Sequence, residues 1–131
     1  MCGRFSLISS LYNVAEVFKT STQEEVGERY NIAPTQKIHV IFQSLGARKL
    51  GLMRWGLVPS WVKEPENFSL IINARSETIN IKPSFKGAIR HRRCLIPANG
   101  YYEWHRAAKA KTPYYIRPKT GELLALAGLY E

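Results

Sequence analysis

The chain has 131 residues, a formal charge of +9 and two cysteines. That length makes one domain with a real core, no apolar run is long enough to span a membrane, and no secretory signal opens the sequence. Two cysteines, one of them at position 2, do not make a disulfide framework, so a reducing cytoplasm is the expected compartment.

The excess of 19 Lys+Arg over 10 Asp+Glu points to a polyanionic partner, nucleic acid before membrane, although a merely basic soluble protein has the same balance. Arg90, Arg92 and Arg93 fall together, as do His105, Arg106, Lys109 and Lys111, while acidic residues gather at Glu24, Glu25 and Glu28.

The chain opens Met1-Cys2-Gly3-Arg4-Phe5. Once Met1 is removed, Cys2 carries a free α-amine and a free thiol on adjacent carbons. An α-amine has a pKa of about 7.7–8.0 against about 10.4 for lysine, so an appreciable fraction is neutral and nucleophilic near pH 7. The amine attacks an aldehyde to give an imine, and the thiolate closes a five-membered ring on the imine carbon. Cys94, its nitrogen in an amide, has no such option. Gly3 lets the backbone approach a ligand, and Arg4 is expected to favour the thiolate. An incidental cysteine near an ordinary N-terminus is the competing reading.

Residues 3–8 read as a strand. Ser9 or Ser10 then caps a helix whose apolar face is Leu11, Val14, Ala15 and Phe18. Residues 20–28 read as loop, and residues 30–35 as extended, because Pro34 drives Ala33 out of the helical region. Lys37–Gln43 alternates Ile38, Val40 and Phe42 against His39, Ile41 and Gln43 as a strand, with His39 a structural residue. A turn at residues 44–48 leads to a strand over residues 49–55. In the Gly/Pro-rich stretch after it, Trp55 reads as core, and Trp61 as either packing or a base-stacking platform.

Ile71 and Ile72 run into the polar cluster Asn73-Ala74-Arg75-Ser76-Glu77-Thr78, a strand end and turn. Ser84 is expected to cap a helix reaching Arg90. Residues 92–98 form a strand, Asn99-Gly100 a turn, and residues 101–104 a strand with Glu103 facing away from Tyr102 and Trp104. A carboxylate buried among such aromatics has a raised pKa suited to acid/base work. Lysine-rich residues 106–112 read as an exposed hairpin loop between that strand and the next. Two further strands, 113–117 and 123–129, are joined by a turn at 118–121. His91 and Cys94 lack the further ligands a metal needs, and no cofactor signature is present.

Taken together, the stretches Met1–Phe5, Tyr30–Pro34, Arg54–Trp61, Ile72–Thr78, Arg93–Ala98 and Tyr101–Trp104 resemble the SOS-response-associated peptidase (SRAP) family, in the family's order and from the first residue onward. The resemblance implies an α+β fold, predominantly β: a barrel-like mixed sheet with short helices and a basic groove for single-stranded DNA. It implies that Cys2 becomes N-terminal and forms a thiazolidine with the ring-opened sugar of an abasic site. Asn73 would position the N-terminal residue or the sugar, and Glu103 would handle protons. Arg4 and Arg75 would hold phosphates, while Pro34 and Trp61 pack against bases and Asn31 supports that loop. Cytoplasmic and nucleoid-bound protein, self-processing of Met1, and no cofactor are further implications.

The family pattern continues to a histidine followed shortly by Arg-Met-Pro, which this sequence lacks. Residues 1–131 therefore read as the N-terminal portion of a SRAP domain: a fragment, a natural truncation or half of a split protein. Either weak stability alone or a separate C-terminal segment as partner is expected, since an edge and apolar surface after Leu129 would otherwise lie open. Two other functions fit the residues less fully: a thiol hydrolase of the N-terminal-nucleophile type using Cys2 on peptides, and a non-catalytic single-strand binding module.

Overall fold

Eight strands, three short α-helices and one 3-10 turn (Pro65–Asn67) arise where local chemistry and the apolar pattern agree, as the computed structural model of residues 2–21, 27–107 and 110–131 shows. Met1, the acidic pair Glu24-Glu25 and Lys109 lie outside the described residues. Strand β1 (Arg4–Leu7) runs into helix α1 (Leu11–Phe18), whose first turn is capped by Ser10: its hydroxyl oxygen accepts the Asn13 N–H at 3.2 Å. The helix buries Leu11, Val14, Ala15 and Phe18, the face its spacing predicts, and ends where Lys19 turns left-handed at φ 54°.

Strand β2 (Arg29–Ile32) is shorter than the extended stretch expected over residues 30–35. Ala33-Pro34-Thr35-Gln36 is a turn, closed by the Gln36 N–H on the Ala33 carbonyl at 3.3 Å, with Thr35 at φ 75°. Proline's fixed φ suits the second position of such a turn, and a positive φ follows it. Strands β3 (Lys37–Ser44) and β4 (Ala47–Arg54) form a hairpin about Leu45-Gly46, both at positive φ, so β4 begins earlier than its apolar residues suggest.

The expected alternation in β3 does not appear. Ile38, His39, Val40 and Ile41 are all buried, because β3 is an inner strand covered on both faces. Burial first, and the charge of Arg29 second, lower the His39 pKa. The unfolded chain then takes up a proton below about pH 6.5 that the folded chain resists, so stability falls as pH falls through that value. The urea midpoint is expected to drop between pH 7.5 and 5.5, and His39→Leu to flatten that slope. An unchanged slope in the variant would contradict this account.

Helices α2 (Pro83–Lys86) and α3 (Ala88–His91) replace the single helix expected from Ser84. Pro83 takes the first helical position, where its missing N–H costs nothing, so Ser84 lies inside the turn and caps nothing. Gly87, a poor helix former, separates the two pieces.

Strand β5 (Arg93–Ala98) is followed at once by β6 (Gly100–Ala107), yet the two belong to different sheets. Asn99 makes the switch instead of a hairpin. Its side-chain oxygen accepts the N–H groups of Ile8 and Ser9 at 2.8 and 3.0 Å, and its own N–H reaches the Ser6 carbonyl at 2.9 Å. Strand β7 (Ala110–Ile116) pairs with β6 as far as Ala107↔Ala110, so residues 110–112, read as loop, are strand. All of β7 is exposed, which left no alternation to read. Strand β8 (Leu124–Leu129) follows the turn at Gly121 (φ 76°).

The fold is α+β with two four-stranded sheets, β2-β1-β6-β7 and β4-β3-β5-β8. Among the described residues the ladders between the named strands are all antiparallel, with one isolated parallel bridge at Ser21–Lys49, so the expected mixed sheet is not found, and the sheets do not close into a barrel. The chain passes between them at Asn99, but no ladder among the described residues joins their outer strands. Phe5, Leu11, Ile32, Val40 and Leu50 centre the shared core.

Candidate functional site

Cys2 sits just before β1, and what fixes it starts with Phe5. That side chain is 3% exposed and meets Trp55 edge to face, with centroids 5.4 Å apart. Trp55 in turn is held by its backbone: its N–H donates to the Gln36 carbonyl at 2.9 Å and its carbonyl accepts the Thr35 N–H at 2.8 Å. Its indole Nε1 donates to the Ile72 carbonyl at 3.0 Å. Leu57 and Ile71 pair in a short bridge. These bonds deliver Asn73, whose Nδ2 donates to the Cys2 carbonyl at 2.8 Å.

Glu103 approaches from β6. The register Arg4↔Tyr102 puts it beside the start of β1, and strand alternation gives it the face of Tyr101, which packs on the core. It is half-buried, and its charge acts on Cys2. Burial pushes the Cys2 thiol above its ordinary pKa, a backbone hydrogen bond at Arg4 draws it partly back, and Glu103 raises it again. The thiol itself donates to the Arg4 carbonyl at 3.2 Å. The expected help from the Arg4 guanidinium is absent: Arg4 Nη1 donates to Asn31 Oδ1 at 2.9 Å, on the opposite face of the sheet from Phe5.

That outer face carries a row of aromatics beside Arg4. Tyr102 lies 5.0 Å from Tyr115 and 6.5 Å from Trp104. Its hydroxyl donates to the Tyr30 carbonyl at 3.0 Å, and the Tyr115 and Ser6 hydroxyls bond at 2.6 Å. Gly100 is required beneath Tyr115, since a Cβ there would stand 2.5 Å from the ring. The sequence sets Tyr102 and Trp104 on the face of this strand opposite Glu103, but not Tyr115 beside them, because uniformly exposed β7 offers no alternation.

Of the other expected site residues, Pro34 heads the turn after β2. Trp61 is 59% exposed, touching Phe68 edge-on at 6.1 Å, so it is no core plug. Arg75 is exposed two residues beyond Asn73. No contact among the described residues links Pro34, Trp61 or Arg75 to Cys2. Cys2 and Asn73 open onto a cavity of about 1110 Å³ walled largely by apolar side chains, among them Val40, Met53, Ile96 and Leu126. Among the described residues no group of three or more His, Cys, Asp or Glu is placed to hold a metal, and no helix is long and apolar enough to cross a membrane.

The SOS response associated peptidase (SRAP) family pattern matches residues 1–131. The chain is 43% identical to the abasic site processing protein YoqW of Bacillus subtilis over 135 residues, covering 100% of this chain and 60% of that protein. It is 35% identical to the abasic site processing protein YMR114C of Saccharomyces cerevisiae, over 88% of this chain and 29% of that one. A crystal structure of a protein from Bacteroides thetaiotaomicron superposes with a TM-score of 0.84 at 29% identity, covering 98% of this chain and 59% of the other. The chain thus spans about 60% of the length of the Bacillus relative.

Proposed function

The chain belongs to the SOS response associated peptidase family, and we propose that it captures abasic sites in single-stranded DNA covalently through Cys2. The observation that carries this reading is the Asn73 Nδ2 bond to the Cys2 carbonyl at 2.8 Å, with the charge of Glu103 acting on the same residue. With Met1 removed, this arrangement supports an aminothiol that reacts under the influence of a carboxylate, at a residue lining the cavity.

In this mechanism Met1 is first released by hydrolysis of its peptide bond, the peptidase-like step, which frees the Cys2 amine. The amine adds to the aldehyde carbon of the ring-opened sugar, and loss of one water gives an imine. Because burial keeps the thiol protonated near neutrality, ring closure needs a base. Glu103 accepts that proton as sulfur bonds to the imine carbon, and the proton returns to nitrogen. The product is a thiazolidine, formed with net loss of one water. Asn73 fixes the Cys2 carbonyl so that amine and thiol face the same carbon.

Arg4 and Arg75 contact flanking phosphates, and Asn31 orients the Arg4 guanidinium. Pro34 and Trp61 pack against neighbouring bases, and the Tyr102–Tyr115 row offers further stacking surface. The apolar cavity and the outer strand β8 support a further polypeptide segment as partner, packed against Met53, Ile96 and Leu126.

Asn73→Ala is expected to slow covalent capture by about 10–100-fold, the range that misplacing a reacting group costs. Asn73→Asp should fare no better, since a carboxylate has no hydrogen to donate to the carbonyl. Timed samples on a denaturing gel, with melting temperatures alongside, make the check. Parent-like rates in both variants would remove Asn73 from the mechanism.

A further inference from the structure

Glu131, just beyond β8, is held on two sides. Arg92 embraces its carboxylate, Nε at 3.1 Å and Nη2 at 2.8 Å from both oxygens. The Ser60 N–H donates to Glu131 Oε1 at 3.2 Å. The Glu131 side chain is only 13% exposed, that of Arg92 35%. Burial pushes the Glu131 carboxyl up, but the hydrogen bonds from Ser60 and Arg92 outweigh it and hold the group below its ordinary pKa, ionised at neutral pH. The adjoining backbone is tied too, Tyr130 N–H to the Arg92 carbonyl at 3.0 Å.

Ser60 and Trp61 are the two central residues of a turn closed by the Val62 N–H on the Pro59 carbonyl at 3.0 Å. Glu131 therefore grips that turn one residue before an indole with more than half its surface in solvent. The ring meets Phe68 edge-on, with centroids 6.1 Å apart. Farther along, the same segment is pinned by the Leu57–Ile71 bridge, next to Asn73.

We propose that Glu131, braced by Arg92, is a positioning residue that holds Trp61 in place to stack on an unpaired DNA base. This rests on the reading of the chain as a DNA-binding protein. Its physical basis is preorganisation: a loop already ordered does not lose that freedom on binding, and each side chain so held changes affinity severalfold. The clamp joins three distant pieces of chain: Arg92 just before β5, Glu131 just after β8 and the Trp61 turn.

A double-mutant cycle of Glu131→Ala and Trp61→Leu tests this, read by fluorescence anisotropy of a labelled single strand at fixed salt. Melting temperatures and abasic-site capture are measured in parallel. Glu131→Ala should weaken binding about 3–10-fold, and less than about twofold once Trp61 is already leucine. Arg92→Lys, which keeps the charge but loses the planar fork, should fall between parent and Glu131→Ala. If Glu131→Ala weakens binding equally in both backgrounds, or lowers only the melting temperature, the positioning role is overturned. A parent that captures abasic sites while the cycle is additive keeps the proposed function and loses this inference. A parent that neither binds nor captures DNA loses both.

Discussion

Replacing Cys2 by alanine is expected to abolish covalent capture of abasic-site DNA while leaving non-covalent binding to the same strand near the parent level. Alanine keeps the α-amine and can still form an imine, but that adduct hydrolyses because no sulfur closes the ring. Cys94 is no substitute: its nitrogen is an amide, it is 7% exposed, and burial pushes its thiol up to about 11. Affinity should survive because Cys2 contributes neither charge nor aromatic surface, whereas single-strand binding rests on cations and stacking. Denaturing gels read the first quantity and anisotropy the second. A stable adduct from Cys2→Ala would mean that another nucleophile, such as a lysine, attacks the sugar.

Phe5→Ala is expected to be the most damaging of the core truncations near the site, at about 3–5 kcal/mol. Domains of this kind hold only about 5–15 kcal/mol in all. Phe5 is buried in the middle of β1, between Ile32 on β2 and Tyr101 on β6, with Trp55 against its ring. Its removal takes away the wall against which Trp55 rests, and Trp55 sets the Ile72 carbonyl that precedes Asn73. Urea unfolding gives the stability loss, and abasic-site capture below the transition gives the site effect. A loss under about 1 kcal/mol would show that Trp55 collapses into the space and that the site does not depend on this contact.

How far the sequence reveals this structure depends on the range of the forces involved. Helix α1 was legible because Ser10 and the spacing of Leu11, Val14, Ala15 and Phe18 act within a few residues. So were β1, β5 and β8, where β-forming residues and turn chemistry agree. The helix expected from Ser84 divides because Pro83 and Gly87 override a cap signal. Closure into a barrel was not legible. It depends on whether outer strands meet, and the switch that sets the sheet order lies in the side-chain bonds of Asn99 to Ile8 and Ser9.

The site divides in the same way. Cys2 announces itself through chemistry peculiar to an N-terminal aminothiol and Glu103 through its aromatic setting, while the role of Asn73 comes from family resemblance. The Asn73 bond to the Cys2 carbonyl spans 71 residues, and nothing local encodes it. Arg4 shows the limit most clearly. Two residues from the thiol in sequence, it lies on the face of the sheet opposite Phe5 and bonds Asn31 instead. The Arg92–Glu131–Ser60 clamp left no trace in the sequence, because its members lie on three separate stretches of chain.

The central claim is that Cys2, freed of Met1, joins an abasic site through both its nitrogen and its sulfur. The most direct test incubates the purified chain with single-stranded DNA carrying one abasic site, with intact DNA as control, and weighs the adduct by mass spectrometry. The account predicts a denaturation-resistant adduct that needs the abasic site and weighs the Met1-free chain plus the DNA less one water, with the modified peptide beginning at Cys2. A free Cys2 that yields no such adduct, or an adduct mapped to a lysine, would contradict it.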